Sequence, residues 1–210
     1  MADPITPVYL SGTGATAADE PEVGLLETLM DLSTRLVLRV IQQQIDAGAR
    51  VMVIAEPAAN KVYFSPTQIT GGSDVFERIA MKPNRRIAAL LKEAGVELFF
   101  HCCGELIDPM ARAFGTLNPA ILSLGSSRLL WQDAALIPKS TVLYGNLPSK
   151  QFYSDSLVSV ADVGKRSREL IGRMKEVGHP FILGTECDVL SVPGCEHTIK
   201  AKVDAMLAVD

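Results

Sequence analysis

Short apolar runs alternate along this chain with longer amphipathic stretches, the pattern of βα units built around a parallel sheet. The runs predict strands at residues 7–10, 51–55, 98–102, 121–124, 142–144 and 181–184. The amphipathic stretches predict helices at 23–47, 84–94, 109–114, 157–177 and 196–207. Gly48, Gly95 and Gly178 each follow a predicted helix, where a left-handed residue closes the last turn before the next strand begins. Residues 11–22 are the loosest part. No fixed period repeats, no Ser/Gly linker divides the chain and no low-complexity tract interrupts it, so the expectation is one α/β domain over residues 1–210.

Composition narrows the class. A chain of 210 residues with 48% hydrophobic and 21% charged residues can bury a sizeable core and is too apolar for disorder. A net charge of -4, with scattered lysines and arginines, offers nothing to a nucleic-acid backbone. Met1-Ala2-Asp3-Pro4 lacks the charged-then-apolar layout of a signal peptide, and no apolar run reaches membrane-spanning length. The expectation is a soluble, cytoplasmic protein with no membrane partner. Four cysteines, two of them adjacent, do not resemble a disulfide framework, so reduced thiols are expected.

The chemistry collects where predicted strands end. In α/β folds functional side chains gather at the C-terminal ends of the strands. Glu56 closes one strand, His101 and Cys103 the next; Ser123 and Ser126 follow, then Asn146, and Glu186 with Cys187 end the last. Alternate residues of a strand share a face, so His101 and Cys103 point one way and Cys102 the other. One imidazole and two thiolates match the ligand set of a catalytic zinc site, in which three protein ligands leave a fourth position open. With a neutral imidazole, that set balances the charge of Zn²⁺. Glu56, Glu105 and Glu186 are candidates for proton acceptor, ligand support or displaceable fourth ligand, and the spacing does not rank them.

Each residue also has a plainer reading. Cys102, on the opposite face, reads as a packing residue. Cys195 and His197 offer a fourth ligand or nothing, and the reading favours nothing. His179 precedes Pro180 in a helix-to-strand loop and reads as solvated. Glu56, before Pro57, is either a carboxylate beside a helix terminus or a pocket group. Trp131 reads as core or interface. Gly12-x-Gly14 lacks the third glycine or lysine of a phosphate loop, and the Gly-x-Ser-x-Gly elbow of serine hydrolases is absent.

The segment from Gly48 through Glu56-Pro57-Ala58-Ala59, then Phe64-Ser65-Pro66 and Phe100-His101-Cys102-Cys103-Gly104, resembles the uroporphyrinogen decarboxylase superfamily, nearest its methylcobamide methyltransferase branch. Tyr144-Gly145-Asn146-Leu147, Ile182-Leu183-Gly184-Thr185-Glu186-Cys187 and Pro193-Gly194 look like that family's later strand-end motifs. The resemblance implies a TIM-barrel-like (β/α) fold, here incomplete, with five or six strands of eight and matching the C-terminal part of the barrel. It implies zinc on His101, Cys103 and Cys187, with Glu56, Glu186 and Asn146 as candidate catalytic residues. It also implies methylcobamide on a corrinoid protein as methyl donor and a small thiol as acceptor. Two alternatives stand beside it: cofactor-free uroporphyrinogen decarboxylation, and a non-catalytic metal- or corrinoid-binding fragment. An incomplete barrel exposes two sheet edges, so a homo-oligomer or a second chain completing the sheet is expected.

Overall fold

The computed structural model describes residues 3–209; residues 1, 2 and 210 of the expected domain lie outside the described residues. Five parallel strands form one sheet: β1 Val51–Ala55, β2 Glu97–Cys102, β3 Ile121–Leu124, β4 Val142–Leu147 and β5 Phe181–Thr185. Their spatial order is their chain order, β1-β2-β3-β4-β5. A doubly wound sheet reverses its order at a switch point and carries helices on both faces, whereas unbroken succession with helices on one face is the winding of a (β/α) barrel. The sheet is not closed. Within the described residues β1 pairs only with β2, and β5 only with β4.

Alternation along the strands separates two faces. Met52, Leu98, Phe100, Cys102, Leu122, Leu124 and Leu143 are buried on the helix-covered side. There Phe100 packs on Phe114 with ring centroids 5.0 Å apart, and Phe114 on Phe76 at 5.8 Å. The helices of this layer include α2 Pro21–Asp46, α4 Lys82–Glu93, α5 Asp108–Gly115 and α7 Val160–Val177. Val51 and Val53, on the other side of β1, are 56% and 60% exposed. That face is the concave, open one. No helix among the described residues is long and apolar enough to cross a membrane.

Helix ends follow local chemistry. Ser159 and Asp162 form a reciprocal capping box that starts α7, three residues later than the apolar pattern predicts. Gly48, Gly95 and Gly178 all take positive φ, as the helix-to-strand turns require. A π-helical turn, Glu77–Met81, runs into α4, whose Pro83 lies in its first turn, so helix begins well before the predicted residue 84. Three short helices escape the periodicity reading: α3 Pro66–Thr70, α6 Leu130–Asp133 and a 3₁₀ turn at Ser149–Gln151.

One predicted strand is corrected. Residues 7–10 lie inside a helix, α1 Ile5–Gly12. The Asp3 carboxylate accepts from Ile5 N–H (2.9 Å) and the Thr6 hydroxyl (2.8 Å) and starts the turn, while Pro7, Val8 and Ser11 are buried. An apolar run this short does not distinguish strand from helix.

The last helix, α8 Glu196–Leu207, is fastened by a buried cation. Lys202 is fully buried and donates to the Phe152 carbonyl (2.8 Å) and to Asp155 (2.9 Å). Asp155 is itself exposed, so the carbonyl bond carries most of the cost of losing the ammonium. Lys202→Met keeps the aliphatic packing but orphans that carbonyl, and should cost about 1–3 kcal/mol in urea unfolding; an unchanged midpoint would show that the bond contributes nothing.

Candidate metal centre

Strand β2 carries His101 to its end and delivers Cys103 one residue beyond it; β5 ends at Thr185 and delivers Cys187 two residues later. The ligand atoms of His101, Cys103 and Cys187 all lie within 4.8 Å of one another. Tetrahedral zinc ligands sit roughly 3.5–3.8 Å apart at ordinary Zn–S and Zn–N lengths, so only small side-chain movements separate this group from a closed site. All three residues are half-buried and line a cavity of about 580 Å³ on the concave face, with Val53, Phe99, Ser123 and Tyr144 along its wall. Two glycines allow the close approaches. A Cβ on Gly125 would lie 2.6 Å from the Cys103 carbonyl oxygen, and one on Gly184 would collide with the Tyr144 ring.

Cys102 points the other way. It is fully buried, contacts the Ala59 carbonyl at 3.8 Å, and burial pushes its thiol up to about 12. His101 stands beside Ser123, whose Oγ lies 2.9 Å from Nδ1. Burial first, then the positive charge of Lys150, holds the imidazole below its ordinary value and favours the neutral ring that binds metals. Burial, followed by the contact with Cys103, pushes the Cys187 thiol up.

The three expected catalytic residues occupy different settings. Glu186 is buried, and its Oε2 accepts from Ser126 N–H (3.0 Å) and the Ser126 hydroxyl (2.6 Å). Asn146 is buried too; its amide donates to the Gly125 (2.8 Å) and Arg128 (2.9 Å) carbonyls. Both therefore tether the loop after β3, which Arg128 anchors further by pairing with the buried Asp133 and with Asp108 (2.8 Å). Glu56 is absent from the cavity lining. Its carboxylate faces Asn84 Nδ2 at 3.5 Å, while its N–H donates to the His101 carbonyl (2.8 Å) and ties β1 to the end of β2. Glu105 is exposed and paired with Lys61, and Cys195 and His197 lie outside the His101–Cys103–Cys187 group. His179 corrects the expectation of a solvated ring: it is buried, with Nε2 2.9 Å from the Thr141 carbonyl.

Two residues at the site escape the sequence reading. Lys150 is an exposed cation beside Cys103, Glu186 and Cys187; burial works to lower its pKa, but these three groups outweigh that and hold the ammonium above its ordinary value. Ser149, fully buried, donates to the Cys187 (3.0 Å) and Asp188 (3.2 Å) carbonyls. The signal was present: β4 continues to Leu147 rather than stopping at Tyr144, which makes Pro148-Ser149-Lys150 a strand-end segment.

The sequence profile of the family described as uroporphyrinogen decarboxylase (URO-D) matches residues 15–207. Among solved structures, a methyltransferase from Methanosarcina mazei superposes with a TM-score of 0.64 at 21% sequence identity, over 89% of this chain and 50% of that one. At that identity the likeness concerns the fold, and the chain spans half the length of that structure. No curated protein matches the chain.

Glu56 offers a pH test of the region beneath the site. Burial raises its carboxyl above the ordinary 4.5, against the lowering effect of Asn84. The folded state then binds this proton more tightly than the unfolded chain, so the group's contribution to stability falls as pH rises from about 4.5 through the folded-state pKa. Glu56→Gln, which can still accept from Asn84, should therefore be more stable than the natural protein at pH 7 and equal to it near pH 4. Thermal melts at the two pH values check the sign, and a larger gain at pH 4 would refute it.

Proposed function

Because the chain belongs to the uroporphyrinogen decarboxylase family, and its five parallel strands form a partial, unclosed TIM-barrel-like fold, we propose that it carries out zinc-dependent methyl transfer from a methylated corrinoid protein to a small thiol. The observation that carries this reading is the convergence of one imidazole and two thiols within 4.8 Å at the C-terminal ends of β2 and β5. The structural likeness to a protein described as a methyltransferase supports it.

In this reading His101, Cys103 and Cys187 hold the zinc. Zinc held there supplies a Lewis-acid position that favours the thiolate form of an incoming thiol, while two thiolate ligands keep the bound sulfur electron-rich. Val53, Phe99 and Tyr144 give the thiol an apolar wall that limits water around the reacting sulfur. Lys150 sets one positive charge against Cys103, Cys187 and Glu186. Asn146 and Glu186 act by fixing the loop after β3, and Glu56 by fixing the end of β2 next to His101. The corrinoid partner approaches from the open concave side. A second copy or a second chain covers the free edges of β1 and β5.

Decarboxylation of a tetrapyrrole rich in carboxylates, the reaction that names the family, is the second reading. It needs cationic side chains facing the substrate. The described residues lining the cavity bring two thiols and an imidazole together beside Asp188, a donor set that suits a metal and a thiol, which supports methyl transfer.

Protein purified without chelators should contain about one zinc per chain by mass spectrometry. His101→Ala, Cys103→Ser and Cys187→Ser should each lose it, and Cys102→Ser should keep it, because Cys102 faces the core. Methylation of a thiol by methylcobalamin then tests turnover. Absence of zinc after reconstitution, or equal loss in Cys102→Ser, would reject the site; zinc without turnover would favour a metal-binding fragment that needs another polypeptide.

A further inference from the structure

His101 and Ser123 are register partners in the parallel ladder between β2 and β3, so their side chains leave the same face of the sheet at the same height. Ser123 is 1% exposed and sits in a strand otherwise made of Ile121, Leu122 and Leu124. A buried hydroxyl in such a strand is costly unless it is hydrogen-bonded. Its only side-chain hydrogen bond among the described residues is the one to His101 Nδ1, at 2.9 Å. This contact leaves Nε2 as the free nitrogen of a ring whose ligand atoms cluster with the Cys103 and Cys187 sulfurs.

We propose that Ser123 is a positioning residue for His101, holding the ring so that Nε2 is the metal-binding atom and accepting a hydrogen bond from Nδ1–H when Nε2 takes the metal. This rests on the zinc reading above. A neutral imidazole carries one proton, so a lone pair on Nε2 places that proton on Nδ1, and the acceptor within reach is Ser123 Oγ. A hydroxyl suits this place for a second reason. It donates to Nδ1 when the ring proton is on Nε2 and accepts from Nδ1 when the proton has moved, so the ring keeps its orientation in both tautomers. A carboxylate there would only accept and would draw the ring towards its charged form, which does not bind metal. Serine holds the ring without adding charge to a group that already includes two thiols.

The test compares the natural protein, Ser123→Ala and Ser123→Thr, using zinc alone as the probe and a chromophoric chelator as competitor. Ser123→Ala should bind zinc about 10–100-fold more weakly, the usual cost of removing the partner of a metal-ligating histidine. Ser123→Thr, which keeps the hydroxyl, should restore the affinity. Long-range ¹H–¹⁵N correlation spectra of the zinc-loaded natural protein give a readout that needs no variant: His101 should show metal on Nε2 and a proton on Nδ1. Zinc on Nδ1, or undiminished affinity in Ser123→Ala, would overturn the assignment of Ser123 while leaving the zinc site standing. Failure of the natural protein itself to bind zinc would overturn the site and this inference together.

Discussion

The parallel register of the central strands is the constraint on which the site depends. Ala55, His101, Ser123 and Tyr144 pair across β1 to β4 as one row, and that row forms a wall of the cavity. A strand's side chains alternate, so a slip of one residue in β2 would carry Cys102 into the cavity and turn His101 into the helix layer. Two apolar commitments on the other face resist that slip. Phe100 and Cys102 are both fully buried, Phe100 is locked against Phe114, and Leu98 is buried on the same side. The imidazole and the Cys103 thiol are thus placed by the hydrophobic effect acting on their neighbours.

Beyond the strands, polar contacts replace apolar ones. Cys187 lies past the end of β5, where no ladder positions it, and the Ser149 hydroxyl accordingly reaches its carbonyl. The loop after β3 is held from both flanks, by Asn146 from β4 and by Glu186 from beyond β5, while Arg128 anchors it to Asp133 and Asp108. Buried polar groups such as these are costly unless satisfied, and once satisfied they specify one loop geometry. Carboxylates and amides at strand ends therefore have two uses, and here the hydrogen bonds of Asn146 and Glu186 go to the scaffold.

Those two uses explain what the sequence discloses and what it hides. The strands at 51–55 and 121–124 read correctly because each is a short apolar run followed by a break in polarity, and β2 and β5 differ from their readings by a residue at one end. The His101–Cys103–Cys187 grouping follows from period-two alternation and from the rule that strand ends converge. Periodicity fails for residues 7–10, where Asp3, four residues upstream, starts a helix that four apolar residues do not reveal. It fails for Lys150 because Gly145-Asn146 imitates a strand end while β4 runs on to Leu147. The ring of His179 is polar and next to a proline, both surface signals, yet its partner is the Thr141 carbonyl at the opposite end of the sheet from the thiols. Such a partner is a product of tertiary packing and leaves no local mark.

Burial governs the electrostatics of the cluster. Burial lowers the tendency of His101 to take a proton and raises the tendency of Cys187 to keep one, so the surroundings favour the neutral form of each. A site built to work as an ion pair would show the opposite, with the imidazolium and thiolate stabilising each other. Lys150 is the cation already present, and it lies at the cavity margin on an exposed side chain, where solvent weakens its hold on two sulfurs. A divalent ion bound between the thiols would take the place of their protons and would find a neutral imidazole ready as third ligand, with its other nitrogen held by Ser123. The directions of these shifts thus fit a neutral imidazole beside a protonated Cys187 thiol more than they fit an imidazolium–thiolate pair.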